Sequence, residues 1–167
     1  MADLPSTPAD GNLKVVWVPA IANPDAPTVT ELTAATAVDL SCYLTADGWN
    51  PSADEQVISD DRLCDTETYE QPGRASRSLE VTYIDNTNTA KENEAVETLV
   101  PGTAGYLVTR SGVPFDTPFA AGDLVDVWPV TCGVYQKLPP EANSVLRRTQ
   151  RMFVTGRVRV DVEVTSV

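Results

Sequence analysis

The chain of 167 residues contains no histidine. That removes the commonest general base and the commonest metal ligand. Cysteine is scarce: Cys42, Cys64 and Cys132 form an odd, widely spaced set, which argues against a disulfide framework and against a zinc site. Buried, reduced thiols are expected. No apolar run approaches the ~18 residues of a membrane-crossing helix. The opening MADLPSTPADGN has no basic stretch ahead of an apolar core, so no secretory leader is expected. No spacing typical of nucleotide, metal or nucleophile chemistry occurs, so neither cofactor nor metal is expected. Asp60 and Asp61 are adjacent, and neighbouring strand residues point to opposite faces. They read as an exposed acidic loop, not a catalytic pair.

Basic residues are also few. Twelve stand against 24 acids, for a net charge of −12, and only three of the twelve are lysine. Phosphate contacts need Lys or Arg, so non-specific adhesion to nucleic acid is not expected. The imbalance is uneven: residues 1–100 hold 18 acids and 5 bases, and residues 101–167 hold 6 and 7. Such asymmetry fits two surfaces of unlike charge that meet, although solubility alone favours an acidic surface.

What the chain has in abundance is alternation. In RMFVTGRVRVDVEV (151–164), Met152, Val154, Val158, Val160, Val162 and Val164 fall on one parity and charged residues on the other. Side chains alternate across a strand. The pattern predicts one β-strand of about 45 Å, which bends across two sheets or joins a sheet larger than one chain. Gly156 marks a bulge or close approach within it. Further strands are predicted at 13–18, 37–44, 77–85, 105–111 and 123–132. Pro129 assigns the last to an edge or a bulge. Thr28 and Glu31 have capping-box spacing and open a short helix over 29–35. Thr89 and Glu92 repeat that spacing ahead of AKENEAVETLV, the one strongly amphipathic helix (90–100), ended by Pro101-Gly102. Residues 1–12 read as a flexible arm, and 13–167 as a single domain. Residues 45–72 are a long acidic loop or irregular hairpin. Trp49, Leu63 and Tyr69 within it need something to pack on. The sum is mainly β: an antiparallel β-sandwich or barrel with one flanking helix (90–100) and a long projecting loop (45–72).

The phrases KVVWVP, DLSCYLTADGW, DDRLCDTETYEQPGR, PGTAGYLVTR, AAGDLVDVWPV and PPEANSVLR, with the following VTG, occur in that order. In this order the chain resembles major tail tube proteins of long non-contractile-tailed phages of actinobacterial hosts, over about residues 13–160. The resemblance implies a structural, non-enzymatic virion protein made in the host cytoplasm. It implies hexameric rings, stacked into a hollow tube through which genomic DNA passes without specific binding. Its partners are then itself and the proteins at the tube ends: terminator, tape measure and distal tail. No membrane is involved. Unfinished sheet edges must be paired or blunted, and a head-to-tail ring pairs them. Within that frame the expected inter-subunit residues are Asp54, Glu55, Asp60, Asp61, Asp65 and Glu67 on the loop. Arg147, Arg148 and Arg151 form a basic group to receive them. Two alternatives stand beside this: a tail terminator or connector ring, and a small acidic β-sandwich binding module using Trp17, Trp49 or Trp128 as a stacking platform.

Overall fold

A computed structural model describes residues 3–89 and 92–166. Eight strands form one antiparallel sheet: β1 (Leu13–Val18), β2 (Val38–Asp39), β3 (Leu44–Asp60), β4 (Tyr69–Ile84), β5 (Ala104–Ser111), β6 (Leu124–Lys137), β7 (Arg147–Val154) and β8 (Arg159–Glu163). Their order is β2-β1-β5-β6-β7-β4-β3, and β8 also pairs with β6. The sheet curls into a half-barrel. Helices α1 (Val29–Leu32) and α2 (Glu94–Thr98) are short.

Alternation builds a core on each face. Val15, Trp17, Leu107, Trp128, Val130, Leu79, Val81 and Met152 point to one side, where Ala95 and Leu99 cover them. Val16, Val18, Val108, Val125 and Val127 point to the other, beneath Leu32, Phe119 and Val164. Strands β1, β5 and β6 are thus buried on both faces. A strand buried on both faces reads as a continuous apolar run, which is why LKVVWV shows little alternation. At the β3–β4–β7 end, among the described residues, no second cluster covers the outer face.

The expected single strand over 151–164 is two strands. The break follows from Pro129, which has no N–H to donate. Strand β6 pairs with β7 from Val130 onward and with β8 up to Val127. Pro129 occupies the gap, with its carbonyl accepting from Thr155 N–H at 2.9 Å. It therefore lies in a central strand where the partner changes, not at an edge. Gly156 packs there, its absent Cβ lying 3.2 Å from the Pro129 ring. The bend carries the aliphatic face between cores: Met152 and Val158 serve the first, Val162 and Val164 the second. Asp161 adopts φ +54°, its N–H held by the Asp126 carboxylate at 3.0 Å.

Other expectations need correction. The helix over 90–100 is only α2; Ala90 and Lys91 lie outside the described residues. Its cap is Asn93, whose side chain makes no capping bond and instead accepts from Asn86 N–H at 3.3 Å, so the Thr89–Glu92 spacing does not cap it. Of the apolar stripe expected at Ala95, Val96, Leu99 and Val100, Ala95 and Leu99 lie in the core and Val96 packs against it, while Val100 is exposed. The strand over 37–44 is only β2, because a turn at Leu40–Tyr43 intervenes. The box at Thr28 does form, with Glu31 N–H to the Thr28 hydroxyl at 3.2 Å and Thr28 N–H to the Glu31 carboxylate at 3.0 Å. Its helix is one turn long. Cys132 is buried, but Cys42 and Cys64 are exposed.

Gly48 sits in a register shift of β3 between Leu44 and Trp49. A Cβ there would lie 2.2 Å from the Thr82 carbonyl oxygen, an approach the backbone can relieve only by moving. Gly48→Ala is expected to cost about 3 kcal/mol, read as a lower denaturation midpoint with an unchanged slope.

Candidate assembly surface

Strands β3 and β4 run far beyond the sheet that anchors them. β4 pairs with β7 only from Leu79 to Ile84. Outside that, the two strands pair only with each other, from Ser52↔Ser78 to Asp60↔Tyr69. At ~3.3 Å per residue, this two-stranded arm projects about 30 Å. A bulge lies between Glu55 and Val57, opposite Pro72, where a missing donor is tolerated. Gly73 allows the close approach there, since its Cβ would meet the Gln56 carbonyl at 2.9 Å.

The tip is organised by its own acids. Asp65 accepts from Thr66 N–H and the Tyr69 hydroxyl, both at 2.8 Å, and the bond from Tyr69 holds its pKa below the usual carboxylate range. Asp60 pairs with Arg62 at 3.0 Å. Yet the apolar residues of the arm have no cover. Val57 is 58% exposed, Ile58 52%, and Leu63 at the tip fully so. A lone two-stranded hairpin is marginally stable in water. Grouped exposed apolar side chains mark an interaction surface. Residues 45–72 are thus the hairpin form of the two readings, not a loop.

The structure places Asp54, Glu55, Asp60, Asp61, Asp65 and Glu67 all on this arm or its tip. It does not keep Arg147, Arg148 and Arg151 together. Strand parity puts Arg147 and Arg151 on the outer face and turns Arg148 inward. Arg147 pairs with Glu141 at 3.2 Å, and Arg151 lies over Phe153 at 5.3 Å. Arg148 is buried, 3.1 Å from Asp85, donating to Thr87 and lying over the Tyr135 ring. It is an internal strut, so the expected surface group of three does not exist. Among the described residues, no ion pair joins any of the three to the arm.

Burial pushes the Asp85 carboxyl up, but bonds from Thr87 and Arg148 outweigh it and bring the pKa down to about 2. A carboxylate whose folded pKa is depressed stabilises the fold above its unfolded value and loses that contribution as pH falls. Stability is therefore expected to drop from about pH 4 toward pH 2. Asp85→Asn should remove this part of the drop in melting curves taken across that range.

With the arm and the open sheet in view, the comparisons are decisive. A family of phage tail tube proteins matches residues 1–167. The chain belongs to the phage tail tube protein family. Tail tube proteins are structural components of the virion, so this one is not an enzyme. A solved structure titled as the baseplate of the anti-feeding prophage, six-fold symmetrised, contains a similar chain at TM-score 0.58 and 12% identity. The match covers 92% of this chain and 95% of that one, and at such identity it supports the fold alone. No curated protein matches.

The tail tube protein leaves two sheet margins open, β2 at one end and β3 at the other. The binding-module alternative loses its platform. Trp17 and Trp128 are buried, and Trp49 packs edge-on against Trp128 at 6.0 Å. Sequence reasoning missed the exposed Val57 and Ile58, which QVIS shows as a short apolar step inside an acidic run. It also missed the separation of Arg148 from its neighbours, although strand parity was a sufficient signal.

Proposed function

We propose that this tail tube protein closes into hexameric rings that stack into the hollow conduit for genome delivery. The observation that carries the reading is the β3–β4 arm: a ribbon of about 30 Å with exposed apolar residues and no cover among the described residues. A second copy is the natural cover. The fold similarity to a component of a six-fold symmetrised assembly supports six copies per ring. The net charge of −12 suits a conduit whose wall does not grip phosphate. Screening confines that field to ~8 Å at physiological salt, so only bore-lining residues contribute. The low lysine content is compatible with an actinobacterial host.

The second reading is a terminator or connector of the same fold, forming one ring and stopping. The baseplate location of the similar solved chain favours it. Quantitative mass spectrometry of purified virions separates the two. A stacked tube requires this chain to be among the most abundant virion proteins, in proportion to tail length. One ring's worth per particle supports the terminator, and absence from virions overturns both.

A further inference from the structure

We infer that the tip of the arm docks, in a neighbouring copy, into the cleft between β4 and the β7–β8 crossover. This rests on the ring-and-stack reading and names the receiving site within it. The cleft has a volume of about 730 Å³. It opens where β7 peels away from β4 after Met152, leaving the backbone at Ala75–Arg77 without a partner on that side. Across it lies β8, which pairs only with β6.

Its chemistry is unusual for so acidic a chain. Arg77, Arg157 and Arg159 stand around it with a single carboxylate, Asp25. Asp25 is engaged with Arg159 at 2.9 Å. Among the described residues, Arg77 and Arg157 have no ionic or hydrogen-bonding side-chain partner, and both are exposed. Val154, Val158, Val160 and Val162 add aliphatic side chains to its lining, with Val160 48% exposed.

The tip is the chemical complement. It offers one fully exposed aliphatic anchor, Leu63, flanked by Asp61, Asp65 and Glu67. An aliphatic anchor against exposed aliphatic side chains, with unlike charges around it, is the usual anatomy of a specific contact. Arg147 and Arg151 fit worse: Arg147 already has Glu141, and Arg151 lies over the Phe153 ring. The arm's length keeps its tip away from the cleft at its own root, so a second copy supplies the occupant.

The test uses Cys64, which sits beside Leu63 and is exposed. In virions carrying Cys42→Ser and Val160→Cys, mild oxidation is expected to link neighbouring subunits through Cys64. A disulfide forms only when the Cα atoms approach within about 7 Å, so it reports insertion of the tip. Arg151→Cys in the same background should give no such link. The paired reversal Arg77→Glu with Arg157→Glu is expected to leave the melting temperature unchanged and cut the assembled fraction about tenfold. Adding Asp61→Arg and Glu67→Arg should restore it. Tails of normal length that cross-link through Arg151→Cys and not Val160→Cys would overturn the inference while leaving the tube intact. Assembly unaffected by the reversal would overturn it likewise. Virions lacking the protein would overturn the tube reading itself.

Discussion

A chain in which residues 53–77 are replaced by an Asn-Gly turn joining Ser52 to Ser78 is expected to fold and to make no tube. Ser52 and Ser78 face each other across the ladder, and Asn-Gly supports the tight hairpin turn that such a pair needs. Neither hydrophobic cluster takes a residue from 50–78; Trp49 and Leu79 are the last contributors on each strand. Stability should therefore change by less than about 1 kcal/mol. The loss for assembly is complete, because the exposed Val57, Ile58 and Leu63 and the acids of the arm go together. Thermal melts and sedimentation read the two effects separately. A shortened chain that still polymerises contradicts the role given to the arm.

Arg110→Met is expected to destabilise the fold by about 3 kcal/mol, enough to lower the melting temperature by roughly 6–12 °C in a domain of this size. Arg110 is only 1% exposed. Its guanidinium donates to the carbonyls of Pro114, Thr117 and Pro118 and to the Asp123 carboxylate, at 2.6 to 3.2 Å. It also lies 5.0 Å from the centre of the Phe119 ring. This one side chain thus holds the 112–123 connection, and Phe119 on that connection closes the second core. Methionine fills much of the volume and satisfies none of the acceptors. Leaving such groups unmet costs more than the bonds themselves gave. The loop should also become a site of rapid proteolysis. Arg151→Met, on the exposed face, should shift stability by less than about 0.5 kcal/mol and is the matched control.

Arg110 also illustrates what the sequence conceals. Alternation located the root of β4, because a half-buried strand writes its two faces into successive residues, and short apolar runs bounded by turns located β1, β5 and β6, which are buried on both faces. The Thr28–Glu31 box was equally legible, since both partners lie within one turn. Arg110 reads as the solvated end of LVTR, and only the loop folding back over it makes it a core residue. The run over 151–164 kept its parity across the break, so periodicity alone reported one strand. The interruption came from Pro129, more than twenty residues upstream and opposite it in the sheet. The arm was ambiguous for a related reason: with solvent on both faces, neither parity is selected for apolar residues. Its acids were legible as a group, while the cleft is assembled from Arg77 and Arg157, far apart in the chain, with no periodic signature.

The account rests on copies of this chain completing one another's sheets around a channel. Electron cryo-microscopy of intact tails at side-chain resolution tests that most directly. It is expected to resolve this chain along the whole tail in six-fold rings, with β2 and β3 margins paired between neighbours and each arm buried in another subunit. A tail whose repeating wall is a different polypeptide, or subunits whose sheet margins and arms stay in solvent, would contradict it.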